Sequence, residues 1–177
     1  SMSSILVTGA TGFIGLHLVE ELLRRGEHVR CLVRPTSKVD SLKRLRTEIA
    51  IAELDEPKGV RAAMDGIDVV YHVAGIIRAF QPEEFYRANE QGTAQIAAAC
   101  AAQANSPRMV LVSSIAAAGP APRGQIRIES DPPVPISHYG RSKLAAEQAA
   151  TKFAHALPLT IVRPGIVFGP RDTGFVK

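Results

Sequence analysis

Two short blocks of this chain carry side chains able to move protons. Tyr139-Gly140-Arg141-Ser142-Lys143 sets a phenol and an ammonium at i and i+4, on one face of a helix. A tyrosine phenol with its ordinary pKa near 10 is a poor base at neutral pH. A neighbouring ammonium favours the phenolate, and a cationic ring nearby adds to that. The pair then becomes a usable proton donor and acceptor. Ser113-Ser114 closes an apolar run upstream of it. A hydroxyl there can bond a substrate oxygen and stabilise charge that develops on it. The alternative role for these serines is a strand-end turn.

A third block binds rather than reacts. Thr8-Gly9-Ala10-Thr11-Gly12-Phe13-Ile14-Gly15 lies between Ile5-Leu6-Val7 and an amphipathic run over residues 16–25. Its three glycines therefore stand where a strand turns into a helix. The first permits a tight turn, the second lets a pyrophosphate approach the backbone, and the third lets helix pack on strand. The helix N-terminus offers free N–H groups and a positive dipole end to phosphates. The spacing is G-x-x-G-x-x-G rather than G-x-G-x-x-G. It predicts a dinucleotide site at Gly9, Thr11, Gly12, Phe13, Ile14 and Gly15.

These blocks need elements to hold them. Apolar runs predict strands over residues 4–7, 28–33, 48–52, 69–73, 109–113 and 159–162. Helical periodicity predicts helices over residues 14–25, 39–45, 59–64, 83–103 and 142–156. Strand and helix alternate throughout, which predicts an α/β parallel sheet with helices on both faces; together with the glycine turn, a doubly wound sheet of order 3-2-1-4-5-6 is expected. Irregular stretches over residues 75–81 and 119–135 follow the fourth and fifth strands, where open α/β sheets bind ligands. The second carries five prolines. It is either a substrate-facing loop or a flexible surface connection.

The 177 residues suit one domain. Apolar residues make up 46% with no Trp, so the core is aliphatic. Cys31 and Cys100 sit inside strand and helix patterns and read as small buried hydrophobes, not as a disulfide or metal site. That points to a reducing, cytoplasmic setting. The first apolar run is a strand cut short by glycines, not a signal peptide. No stretch approaches the ~18 apolar residues of a membrane span. Ser1-Met2 reads as the scar of a cleaved tag. The net charge is +4, and eight of the 21 Lys and Arg fall between Arg24 and Arg46. Such a cluster beside the glycine turn suits an anionic small ligand. No aromatic residues interleave with it, which argues against nucleic acid.

Taken in order, several blocks resemble the extended short-chain dehydrogenase/reductases of the epimerase/dehydratase type. They are Val7 to Gly15, Val70-Tyr71-His72-Val73-Ala74-Gly75, Asn89-Glu90-Gln91-Gly92-Thr93, Val112-Ser113-Ser114, Tyr139 to Lys143, and Arg163 to Pro170. The resemblance implies that Gly9, Gly12 and Gly15 hold a pyrophosphate and that Ser114, rather than Ser113, polarises the substrate. It makes Tyr139 the acid/base, with Lys143 holding the ribose and lowering the Tyr139 pKa. Glu53-Leu54 would lie beside the adenine, Ala74 at the ribose side, and Arg163-Pro164 near the carboxamide. Asn89 would organise the helix behind the site.

The second strand ends Val33-Arg34, where relatives that prefer NAD carry an Asp for the ribose 2′-hydroxyl. Arg34, with Ser37 or Lys38, could pair with a 2′-phosphate instead, so NADP is expected in preference to NAD. The other role for Arg34 is a solvated loop residue.

The chain departs from the family in two places. Ala116-Ala117-Ala118 precedes Gly119 where an aromatic residue is common, which weakens a sugar-nucleotide assignment. Members of the family also usually hold two domains, more than 177 residues supply. Residues 1–177 are thus expected to form the nucleotide-binding domain, with the substrate domain beyond Lys177 and little turnover without it. The expected activity is that of an NAD(P)-dependent oxidoreductase or an epimerase/dehydratase. The alternative is a cofactor-binding or redox-sensing module without turnover. Expected partners are a small carbonyl, alcohol or nucleotide-sugar substrate and a second copy in a homodimer, with no metal, nucleic acid or membrane.

Overall fold

Residues of each strand alternate between two cores, as the period of two along a strand requires. Leu6, Leu32, Val70 and Leu111 enter one core, and Ile5, Val7, Val29 and Cys31 enter the other. The structure, a computed structural model, describes residues 3–173. Strands β1 (Ser4–Thr8), β2 (His28–Val33), β3 (Glu48–Ile51), β4 (Val69–His72), β5 (Arg108–Val112) and β6 (Leu159–Val162) form one sheet. All neighbours pair in parallel, in the order β3-β2-β1-β4-β5-β6. This is the doubly wound Rossmann arrangement that the alternation of elements predicts.

Helices α1 (Phe13–Arg24) and α2 (Asp40–Arg44) cover one face through Val19, Leu22 and Leu42. On the other face lie α3 (Pro57–Ala63) and the longer α5 (Gly92–Ala101), which brings Ile96, Ala97 and Cys100. The last helix, α7 (His138–Thr151), shares that face through Ala150. Short helices α4 (Pro82–Phe85) and α6 (Ile115–Ala118) follow β4 and β5. Cys31 and Cys100 are fully buried and free, and burial pushes their thiols up to about 11 and about 12. Among the described residues, no helix is long and apolar enough to cross a membrane.

Two helices differ from the periodicity. Residues 83–103 do not form one α-helix, because a wider π-helical turn, Tyr86–Gln91, joins α4 to α5. Buried Asn89 lies in that turn. Its amide accepts from the Ile76 N–H at 2.8 Å and donates to the Ile76 carbonyl at 3.1 Å and to Ser142 Oγ at 3.0 Å. Its own carbonyl accepts the Thr93 hydroxyl at 2.6 Å. Such side-chain bonds compete with regular helical pairing. Helix α7 starts at His138 rather than Ser142, because Ser137 Oγ accepts the Gly140 N–H at 2.9 Å and caps it. Gly140 belongs in this helix for a packing reason. A Cβ there would lie 2.4 Å from the Ala116 carbonyl oxygen.

A buried polar chain ties β1 to β4 and α5. Thr93 spends its proton on Asn89, so it accepts from His72 Nε2–H at 3.0 Å. The bare Nδ1 then accepts the Thr8 hydroxyl at 2.7 Å, and Thr8 Oγ1 accepts the Ala74 N–H at 3.1 Å. The tautomer follows from this network. Burial, helped by the Lys143 charge, lowers the His72 pKa from 6.5 to about 3. The unfolded chain takes up this proton near 6.5, while the folded chain refuses it until about 3. Stability is therefore lost as pH falls through that window. His72→Gln should remove this acid sensitivity. Denaturant titrations at pH 7 and about pH 4 should show the stability gap between wild type and variant narrowing on acidification.

Candidate active site

Parallel pairing puts the carboxyl end of every strand on one edge of the sheet. The strand order reverses between β1 and β4, so the loops there diverge and leave a crevice. The glycine turn follows β1 and Ala74-Gly75 follows β4. The three glycines serve different ends. Gly9 has φ +70°, and a Cβ on it would lie 2.6 Å from the Ala74 nitrogen. A Cβ on Gly15 would lie 2.0 Å from the Gly9 carbonyl oxygen. The fold itself demands both. Gly12 has φ −82° and ψ 173°, open to any residue, and its nearest would-be neighbour is 3.4 Å away. Nothing in the protein requires a glycine there.

Gly12 is exposed at the N-terminus of α1, where first-turn N–H groups lack helical partners. A bare backbone at this point leaves room for a phosphate group. The residues present thus fit a dinucleotide. Thr11 is exposed beside Gly12, and Phe13 packs edge-on against His17 with ring centroids 5.1 Å apart. Ile14 reaches the crevice, which Val73, Gly75, Val112, Tyr139 and Lys143 also line.

Tyr139 and Lys143 of α7 line this crevice together with Ser113, and Ser114 reaches the Tyr139 phenol from just past the end of β5. Ser114 caps α6 by accepting the Ala116 N–H at 3.1 Å. Burial pushes the Tyr139 phenol up, and a hydrogen bond with the Ser114 side chain opposes that. Lys143 Nζ donates to the Val112 carbonyl at 3.0 Å. Burial lowers the Lys143 pKa to about 8, against the raising effect of Glu147. The phenolate expected from the Tyr/Lys spacing is therefore not favoured by the chain alone. Desolvation of the phenol outweighs its neighbours, and Lys143 directs a proton at a backbone carbonyl. Ser113 is committed elsewhere, since its hydroxyl donates to Glu147 Oε1 at 2.5 Å. That leaves Ser114 as the serine facing Tyr139.

The remaining expected residues line the same sheet edge. Arg34 stands exposed after β2, and its guanidinium has no ion-pair partner among the described residues. Its backbone N–H bonds Ser37 Oγ at 3.2 Å. Glu53 and Leu54 follow β3, and Leu54 Cδ1 would lie 3.0 Å from a Cβ on Gly92. Ala74 packs on Gly9. The Pro164 carbonyl accepts the Ile115 N–H at 2.9 Å, which brings the segment after β6 beside Ser114. From β2 to β5 is three strand spacings, about 14 Å. That suits an extended ligand. A separate apolar depression lies between α7 and β6 at Leu144, Gln148 and Ile161, and contains no expected site residue.

Sequence reasoning missed a second group behind the site. Arg163 donates to Glu147 through Nε at 2.9 Å and Nη2 at 2.6 Å. The position of Glu147, one turn after Lys143, was the available signal. Spacing alone does not say that its carboxylate is buried.

Residues 5–177 match the family described as the NAD dependent epimerase/dehydratase family. The chain is 37% identical over 169 residues to ceramide reductase of Caulobacter vibrioides, covering 96% of this chain and 48% of that protein. It is 36% identical to sterol demethylase protein B of Methylococcus capsulatus, covering 94% of this chain and 52% of that protein. Among solved structures it resembles UDP-glucuronic acid 4-epimerase from Bacillus cereus in complex with NAD. That match has 28% identity and a TM-score of 0.81, over 96% of this chain and 59% of that one. The chain spans about half the length of the curated relatives it matches.

The unequal glycines make a test. Gly12→Val should melt close to wild type yet lose dinucleotide binding by calorimetry. Gly15→Ala should lower stability by about 1–3 kcal/mol or more, because its Cβ collides with backbone.

Proposed function

The chain belongs to the NAD dependent epimerase/dehydratase family, and from that premise we propose that it binds NADP(H) and interconverts a carbonyl and an alcohol. The observation that carries this reading is that Tyr139 and Lys143 line the crevice with Ile14, while Ser114 bonds the Tyr139 phenol. The nicotinamide, when bound, supplies or accepts the hydride. In the reducing direction Ser114 donates a hydrogen bond to the carbonyl oxygen and holds it against Tyr139. The Tyr139 phenol passes its proton to that oxygen as charge builds there. Its raised pKa suits it to hold a proton until then. Protonated Lys143, one turn further along α7 and lining the same crevice, stabilises the phenolate that results. Pro164 lies beside Ser114 through the bond of its carbonyl to the Ile115 N–H, while Arg163 is turned toward Glu147. Thr11, Phe13 and Ile14 sit with the phosphates, and Glu53, Leu54 and Ala74 border the adenosine side.

NADP in preference to NAD rests on Arg34. It is exposed and, among the described residues, without an ion partner at the end of β2, where its planar guanidinium can pair with a 2′-phosphate. For the substrate, the loops after β4 and β5 favour an apolar carbonyl compound over a nucleotide sugar. Phe80 is 97% exposed and Ile136 72%, with Ile77, Ile115 and Val134 also exposed. The Val134 N–H bonds the Ala118 carbonyl at 2.8 Å, and Pro135 lies against Gly140, so the second loop flanks the start of α7. The likeness to ceramide reductase agrees with that choice. Free, buried Cys31 and Cys100 support a reducing, cytoplasmic setting.

Calorimetry on this chain should give NADP(H) binding at least several-fold tighter than NAD(H), and Arg34→Asp should reverse the order. Equal affinities in the wild type would remove the NADP assignment. Turnover is assayed on the full product of the gene, as NADPH consumption against a panel of apolar ketones and aldehydes. An epimerisation assay on nucleotide sugars runs beside it. Tyr139→Phe should keep cofactor affinity and lose ~10²–10⁴-fold in rate. Undiminished turnover by that variant would overturn the catalytic assignment, and activity on the sugars alone would overturn the apolar substrate.

A further inference from the structure

Three backbone segments each bring one part of the candidate site: the end of β5, the first turns of α7, and the stretch after β6. A single buried carboxylate joins all three. Glu147 is 5% exposed on α7. Its Oε1 accepts from Ser113 Oγ at 2.5 Å and Arg163 Nε at 2.9 Å, and its Oε2 accepts from Arg163 Nη2 at 2.6 Å. Ser113 immediately precedes Ser114, and Arg163 immediately precedes Pro164. Glu147 itself lies one helical turn beyond Lys143 and two beyond Tyr139.

We infer that Glu147 is the positioning residue of this site. Its carboxylate clamps β5, α7 and the post-β6 segment in one register, and its charge faces Lys143 along the helix. Backbone bonds run along the same seam. Lys143 Nζ bonds the Val112 carbonyl, the Ser113 N–H bonds the Val162 carbonyl at 2.8 Å, and the Ile115 N–H bonds the Pro164 carbonyl. A small rotation of α7 would therefore disturb the distance between Ser114 and Tyr139. Catalytic groups tolerate little such misplacement.

The charge has a second consequence. Burial draws the Lys143 ammonium down to about 8, and Glu147 pulls the other way. The titratable or charged groups around Lys143 are Glu147 and Tyr139 on α7, His72 on β4, and Arg163 behind Glu147. His72 is neutral at physiological pH. Glu147 is the anion that keeps Lys143 protonated near neutral pH. Removing it also leaves the Arg163 cation without its partner, which acts on Lys143 in the same direction.

This role presupposes that Ser114, Tyr139 and Lys143 act together, but the titration of Lys143 can be read whether or not the chain turns anything over. The Lys143 side chain is followed by NMR in the lysine-labelled, cofactor-free chain, and assigned with Lys143→Arg. In Glu147→Gln, which keeps size and hydrogen-bonding capacity, Lys143 should titrate at lower pH than in wild type. NADPH affinity should also begin to fall at lower pH. Glu147→Gln combined with Arg163→Met removes both charges and guards against misfolding, since neutral replacement of a buried pair is often tolerated. The downward shift should persist in it. Glu147→Asp, which keeps the charge, should restore the titration toward wild type even if it melts lower. An unchanged Lys143 titration in the two Gln-bearing variants would reduce Glu147 to an ordinary structural ion pair and overturn the inference.

Discussion

Backbone lies on backbone where β1 turns into α1, and the rest of the site depends on that contact. Gly15 rests against the Gly9 carbonyl, and Gly9 against Ala74 at the end of β4. No side chain fits between them. The close approach brings the N-terminus of α1 to the point where the strand order reverses, so the positive end of its dipole faces the crevice. It also brings Ile14 to the wall that Tyr139 and Lys143 form from the other side. The glycine turn and the Tyr139/Lys143 wall are thus joined through three residues without room to yield.

Two buried polar networks stiffen the two flanks of this junction. Ala74, Thr8, His72, Thr93 and Asn89 form one, in which every proton has an acceptor. Ser113, Glu147 and Arg163 form the other. Buried polar groups are costly when unpaired, and networks that satisfy each member hold a single geometry. The π-helical turn at Asn89 belongs to the same device, because it lets one side chain bond both the loop after β4 and Ser142 on α7. Conformational precision therefore comes from behind the reacting groups. The groups in front are left for ligands. Ser114 and Tyr139 bond each other, and Arg34 and Thr11 face solvent.

The electrostatics follow from burial more than from pairing. Lys143 and Tyr139 are both drawn toward their neutral forms, and His72 is neutral. The crevice thus carries one buried ammonium, Lys143, and the exposed N-terminus of a helix. Catalytic pKa values are commonly set by such desolvation.

Much of this was legible in the chain itself. Alternation of β-branched runs with amphipathic ones marked the strands and helices, since period two and period 3.6 cannot be exchanged, and the glycine turn after the first strand pointed to their order. The glycine triplet, the pair Ser113-Ser114 and the Tyr139/Lys143 pair pointed to the candidate site because each is local, a spacing within one element or at its end. What the tertiary structure decided was burial and contact between elements distant in sequence. It separated Gly12 from Gly9 and Gly15, which look alike in the sequence and differ in what lies above them. It divided Ser113 from Ser114, because Ser113 reaches Glu147 while Ser114 bonds Tyr139, two turns earlier on the same helix. It broke the helix over residues 83–103 at Asn89, where partners on another loop and another helix outbid the regular pattern. It also raised the Tyr139 pKa where spacing alone implied a lowered one, because loss of water is a property of the packed chain and of no single segment.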